Sequence, residues 1–195
     1  MRVVLAKTAC SSSPDSNPVT PCRPRALECA VEVHDLMKLY PNGVRALNGL
    51  SLSVKVGTIF ALLGPNGAGK SSTIRILCTL LRPDGGRALV CGWNVVLEPG
   101  RVRAAIGCVA QGSSSDLDAT GRENLLLQGR LHGLSGASLK LRVQELMERF
   151  GLTAVIDQMV RTYSGGMERK LDIAIGLVHR PQVLFLDEPD RKSVV

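Results

Sequence analysis

The period of apolar and polar positions changes several times along the chain. Cys29–Asp35 alternates, with Cys29, Val31 and Val33 set against Ala30, Glu32 and His34, which predicts a half-exposed strand. Leu39-Tyr40-Pro41-Asn42-Gly43 is a turn signal. Ala46–Val56 alternates again through Leu50, Leu52, Val54 and Val56, predicting a second strand. Thr58–Leu63 is apolar more continuously, as strands buried in parallel sheets are. An apolar-periodic stretch, Ser71–Leu81, then predicts a helix, which Arg82-Pro83-Asp84-Gly85-Gly86 ends with breakers. Arg87–Cys91 and Ile106–Ala110 predict further short strands.

From Gly112 the pattern becomes helical. Gly112–Asp118 reads as a polar loop. Thr120 with Glu123 three positions on forms a capping box ahead of Leu125–Leu131. Ser138–Phe150 carries Leu139, Val143, Leu146, Met147 and Phe150 on one face, and Gly151 closes it. This region, about 112–163, is expected to be a small helical subdomain inserted into an α/β core. Another helix is expected through Leu171–Val178, stopped by Arg180-Pro181, and the apolar run Val183–Leu186 predicts a last strand.

Chemistry concentrates between the strand Thr58–Leu63 and the helix after it. Gly64-Pro65-Asn66-Gly67-Ala68-Gly69-Lys70-Ser71 is G-x-x-x-x-G-K-[ST], the phosphate-binding loop. Its glycines let backbone N–H groups approach phosphate oxygens, and the following helix points its positive end at them. Lys70 adds a full charge, and the Ser71 hydroxyl can ligate Mg²⁺. Val183–Leu186 runs into Asp187 and Glu188, an acid able to hold Mg²⁺ and a neighbour able to polarise water, although such pairs are often only solvated strand ends. Ser164-Gly165-Gly166 before a helix is either a second anion-binding geometry or a simple N-cap turn.

Composition narrows the choice. The 195 residues suffice for one domain with a core. Aromatics make up 3%, against a module built on stacked bases. Of the net charge of +7, Arg2, Lys7, Arg23 and Arg25 against Asp15 leave +3 in the first 25 residues, so the charge reads as a basic tail rather than a nucleic-acid footprint. No C-x-x-C spacing occurs among the six cysteines, and Cys78, Cys91 and Cys108 lie in apolar runs that predict small core residues. No apolar run approaches the roughly 18 residues a membrane span needs. Residues 1–27, rich in Ser and Pro, read as a disordered leader or a mis-called start.

Taken together and in order, these motifs resemble the nucleotide-binding domain of an ATP-binding cassette (ABC) transporter, from about Cys29 to Pro189. Gly64–Ser71 corresponds to Walker A, Gln111 to the Q-loop, Tyr163-Ser164-Gly165-Gly166-Met167 to the signature, and Val183–Glu188 to Walker B. Thr120-Gly121-Arg122-Glu123-Asn124-Leu125, the signature form with Tyr163 and Met167, and Leu177-Val178-His179-Arg180-Pro181 are similar to bacterial exporters of the daunorubicin-resistance type, whose ATPase is a separate subunit. The resemblance implies an α/β P-loop NTPase core, with a mixed sheet and flanking helices, an antiparallel β edge and an inserted helical subdomain. It implies that Tyr40 stacks on adenine, unless it is a turn tyrosine packed on the domain edge. Gly64, Pro65, Asn66, Gly67, Ala68, Gly69, Lys70, Ser71 and Ser72 would bind ATP. Ser71, Gln111 and Asp187 would serve Mg²⁺, and Glu188 would be the general base. The implied partners are a second ATP-binding subunit, paired head to tail so that the signature completes the site in trans, and an integral-membrane permease. The implied location is the cytoplasmic face of the membrane.

The chain departs from the family pattern at its end. After Asp187-Glu188-Pro189 the family continues into a D-loop, further strands and a switch histidine, whereas here Asp190–Val195 follows. Those six residues match the translation of a common sequencing-adaptor sequence, so 190–195 is expected to be a non-native tail on a truncated cassette that hydrolyses ATP poorly. A soluble ABC ATPase of DNA repair or translation is the alternative. Repair types carry a long coiled coil between Walker A and signature, but Gly64 and Ser164 are only 100 positions apart. Translation types carry two cassettes, and one is present. A P-loop kinase is disfavoured by Ser164-Gly165-Gly166 together with Glu188.

Overall fold

The computed structural model describes residues 3–6, 28–109 and 114–187. They divide into two units, Met1–Cys108 with Gln182–Val195, and Val109–Pro181.

In the first unit, β1 is Val3–Ala6, β2 Cys29–Leu39, β3 Arg45–Lys55 and β4 Ile59–Leu62. Helix α1 (Lys70–Leu77) follows the Gly-rich loop, then β5 (Gly85–Val90), β6 (Trp93–Asn94), α2 (Pro99–Ala105) and β7 (Ile106–Val109). Strand β8 (Val183–Asp187) completes it. One sheet has the order β3-β2-β5-β6 and is antiparallel throughout. The other has the order β4-β1-β8-β7. Because β1 is antiparallel to both β4 and β8, those two strands run parallel to one another. The core joins Val31, Val33 and Leu36 of β2 with Ile74, Ile76 and Leu77 of α1, Val90 of β5 and Phe185 of β8. Helix α1 packs against β3, β5 and β8, so the start of the helix is fixed by this core.

Several expectations change. Val3–Ala6 is a strand rather than disordered: its Val-Val-Leu-Ala run is apolar and opens on two β-branched residues, and it bonds a neighbour on each side. The rest of 1–27 and all of 190–195 lie outside the described residues. Strand β4 is not buried on both faces; it is the edge of its sheet, and Ile59 is 79% exposed. Cys108 is exposed, unlike the buried Cys78 and Cys91, although its β7 neighbours Ile106, Gly107 and Val109 are all buried. Helix α1 ends at Leu77, four residues early, since Thr79 adopts φ 61° and cannot continue it. Sequence reading also misses α2, whose signal is Pro99 in the first turn with Val102 and Ala105 buried.

The second unit is helical. Helices α3 (Gly121–Leu131), α4 (Gly136–Phe150) and α5 (Gly165–Leu177) pack on one another, with single 3₁₀ turns at Thr153–Val155 and Val160–Thr162. Leu125, Leu139, Val143, Leu146, Met147, Leu171 and Ala174 form its core. The Thr120 hydroxyl accepts from the Glu123 N–H at 3.1 Å while the Glu123 carboxylate accepts from the Thr120 N–H at 2.8 Å, closing the capping box. Gly151 takes φ 65° and ends α4. The unit extends through α5 to Pro181 rather than stopping near 163, because Leu171, Ala174 and Ile175 of α5 belong to the same core as α3 and α4.

Candidate functional site

The loop between β4 and α1 is shaped by glycine. Gly67 and Gly69 have φ near 80°, where side chains are strained. Gly69 is also pressed against β3: a Cβ there would lie 2.3 Å from the Ala46 carbonyl oxygen and 2.6 Å from Leu47 Cδ2. Only glycine lets the chain turn at this point and enter α1 at Lys70.

Lys70 is buried, and its Nζ donates to the carbonyls of Gly64, at 2.6 Å, and Pro65. A buried ammonium needs such acceptors, or an anion in their place. One turn on, Thr73 Oγ1 donates to the Gly69 carbonyl at 3.0 Å, holding the first turn of the helix to the loop. Tyr40 is set by the turn after β2: its N–H donates to the Val44 carbonyl at 2.9 Å, and the Gly43 N–H donates to the Tyr40 carbonyl. Its hydroxyl lies 3.0 Å from Ser72 Oγ.

A cleft of about 240 Å³ results, lined by Tyr40, Val44, Ala46, Asn66, Gly67, Ala68, Gly69, Lys70, Ser71 and Ser72. The predicted aromatic and the predicted loop therefore share one cavity although they are some thirty residues apart in the chain. Gly64 and Pro65 serve from behind, through the carbonyls that hold Lys70. Val44 and Ala46 escape the sequence reading; their only signal is proximity to the turn at Tyr40. Donors dominate the loop end of the cleft, with the Lys70 ammonium and the N–H groups at the start of α1. That set fits a phosphate chain, and the oxygen of Ser71 suits a hard cation such as Mg²⁺.

The other predicted residues lie elsewhere. Asp187 ends β8, whose neighbour in the core is α1. Gln111 and Glu188 lie outside the described residues. The five signature residues are all in the second unit and divide by role. Tyr163 is buried, and its hydroxyl donates to the Val155 carbonyl at 2.7 Å; burial raises its pKa. Met167 packs on the same core. Ser164 caps α5 by accepting from the Met167 N–H at 3.3 Å, and Gly165 and Gly166 are exposed at the helix start. Neither glycine has a positive φ, and a Cβ on either would meet nothing within 4 Å. The unit's own fold gives no reason for glycine at these two positions.

A phosphate-binding loop between a strand and a helix, with an aromatic across the cleft, defines a P-loop nucleotide-binding fold. The sequence profile of the family described as ABC transporter matches residues 47–191, and the chain belongs to that family. It is 52% identical over 160 residues to the daunorubicin/doxorubicin resistance ATP-binding protein DrrA of Streptomyces peucetius, covering 82% of this chain and 48% of that protein. It is 41% identical over 162 residues to the Nod factor export ATP-binding protein I of Paraburkholderia xenovorans, covering 83% of this chain and 53% of that protein. Among solved structures, cbiO1 from Clostridium perfringens, part of the ABC transporter complex cbiONQ, superposes with a TM-score of 0.70 at 26% identity, over 80% of this chain and 63% of that one. The chain spans about half the length of the curated relatives it matches.

Proposed function

We propose that this chain is the ATP-binding part of the ATPase subunit of an ABC exporter that moves a drug or other hydrophobic compound through a separate membrane permease. The observation that carries this reading is the single cleft that joins Tyr40 to Asn66–Ser72, with Lys70 in its lining. Family membership and the relatives named for resistance and export support it. Among the described residues no helix is long and apolar enough to cross a membrane, and in this reading the permease is a separate partner.

ATP binds with adenine on Tyr40 and its phosphates along Gly67–Ser72. Lys70 exchanges the Gly64 and Pro65 carbonyls for phosphate oxygens. Ser71, Asp187 and Gln111 are the residues that would hold Mg²⁺, which when bound neutralises charge on the β- and γ-phosphates. Glu188 takes the proton from the attacking water. Ser164, Gly165 and Gly166 act on the nucleotide of a second copy, paired head to tail at the cytoplasmic face of the membrane. Their N–H groups at the start of α5 offer the donors that stabilise transferred phosphate charge.

The test is ATP binding by the 195-residue chain, measured by calorimetry with Mg²⁺ present. Saturable binding is expected, and Lys70→Ala is expected to weaken it by about a hundredfold or more, the loss of a desolvated charge-assisted contact. Absence of ATP binding, or equal binding by Lys70→Ala, would refute the reading.

A further inference from the structure

Tyr40 is held by more than its turn. Lys38, two residues earlier on β2, places its Nζ 6.0 Å from the centroid of the Tyr40 ring. That is within cation–π reach. The Lys38 side chain is only 12% exposed, and its ammonium is anchored rather than free to swing. It is satisfied there by two donations, to the Arg82 carbonyl at 2.8 Å and to Asp84 Oδ1 at 3.1 Å. The other carboxylate oxygen of Asp84 accepts from the Leu39 N–H at 2.7 Å, the residue immediately before Tyr40. The Asp84 N–H in turn donates to the Met37 carbonyl at 3.0 Å. Strand β2 changes register at Leu36/Met37 and again at Lys38/Leu39, and such bulges re-aim side chains at the ends of strands. Asp84 thus ties down the irregular end of β2 by its main chain and by its lysine. The Leu39 and Lys38 contacts hold the Asp84 carboxyl below the usual carboxylate range.

We infer that Lys38 and Asp84 are positioning residues for nucleotide recognition: they fix the Tyr40 ring from one face and leave the other to the base of an adenine nucleotide. The inference rests on the cleft being a nucleotide site, and it adds two residues that no motif marks. Arg82-Pro83-Asp84-Gly85-Gly86 reads in sequence as a helix breaker alone, yet its Asp84 organises the base end of the cleft. Linkage to the phosphate end runs through the Tyr40 hydroxyl and Ser72. A ring that shifts when Lys38 is lost therefore changes base stacking first, while the loop that holds phosphates keeps its own bonds to Lys70 and Thr73.

The experiment compares two probes, ATP and inorganic tripolyphosphate, each with Mg²⁺, on the full chain. Lys38→Met and Asp84→Asn are each expected to weaken ATP about three- to ten-fold, the range of a cation–π contact, and to leave tripolyphosphate unchanged. Lys38→Arg keeps a cation over the ring and is expected to bind ATP as the unaltered chain does. In a Tyr40→Ala background, Lys38→Met is expected to add nothing. Equal ATP affinity in both variants overturns the inference, as does a parallel loss of ATP and tripolyphosphate, which would mark a merely structural role. If Lys38→Met does not fold, Asp84→Asn and Lys38→Arg decide between the same outcomes. Failure of the unaltered chain to bind ATP at all would instead remove the nucleotide-site reading and this inference with it.

Discussion

Two glycine positions separate what the fold requires from what a ligand requires. Gly69 answers to the fold. Its φ of 80° and the 2.3 Å that would separate a Cβ from the Ala46 carbonyl oxygen leave no room for a side chain, and the obstacle is backbone that cannot swing aside. Gly69→Ala is expected to lower unfolding stability by more than about 1 kcal/mol, because strain at positive φ adds to the clash. Gly166 answers to something outside its own unit. Alanine there meets nothing and sits in the first turn of α5, where it is a better helix former than glycine. Gly166→Ala should therefore leave the melting temperature unchanged or slightly raised. In the two-copy arrangement proposed above, it should nonetheless slow ATP turnover, because the methyl group stands where the partner's phosphate approaches. Thermal melting of both variants, with turnover measured for the second in the intact subunit, checks the contrast. A Gly166→Ala subunit with normal turnover would remove the signature from the catalytic site.

At the scale of the element, the capping box at Thr120 is the clearest case of a sequence signal fixing a boundary. Both reciprocal bonds form, and α3 begins at the next residue. Thr120→Ala removes the hydroxyl acceptor of the Glu123 N–H and is expected to cost about 1 kcal/mol, readable by urea denaturation. Hydrogen exchange at the start of α3 should accelerate with it. The same legibility holds wherever period and punctuation agree. Helix α4 is readable from Leu139, Val143, Leu146 and Met147 with Gly151 behind them, and α1 from the glycines before it and Lys70 at its start. Elements are hidden where local pattern carries no information about neighbours. Val3–Ala6 is too short for a period to show, and its place between β4 and β8 is decided by pairing far away in the chain. The apolar run of β4 looks buried in sequence, yet position at the sheet edge is a property of the topology. The site divides in the same way. The phosphate loop is contiguous and legible in full. Val44, Ala46, Lys38 and Asp84 reach the cleft or its aromatic only through strand register and a turn, and no spacing rule marks them.

At the scale of the whole chain, stability should depend on pH through the helical unit. His132 caps α3, and its ring stacks on His179 with centroids 3.7 Å apart and planes within 2°. Gln128 Nε2 lies 3.3 Å from His132 Nε2. Burial lowers the His132 pKa below its ordinary 6.5. The folded state therefore holds its proton less tightly than the unfolded chain does, and the unfolded state gains protons first as pH falls. The stability tied to neutral His132 is complete above pH 6.5 and is lost as pH drops from there through the folded pKa. Asp172 works in the opposite sense. Burial raises its pKa above 3.8, although the Ser114 N–H at 2.9 Å and Arg169 counter that, so its protonation favours the folded state as pH falls toward the carboxylate range. Melting temperature is accordingly expected to hold level above about pH 7 and to fall as pH drops below 6.5. His132→Phe keeps an aromatic ring against His179 and removes the titration, so its melting curve should be flatter across that interval than that of the unaltered chain. Two parallel curves would show that the paired imidazoles carry no pH dependence and that any loss of stability in this range begins with the carboxylates.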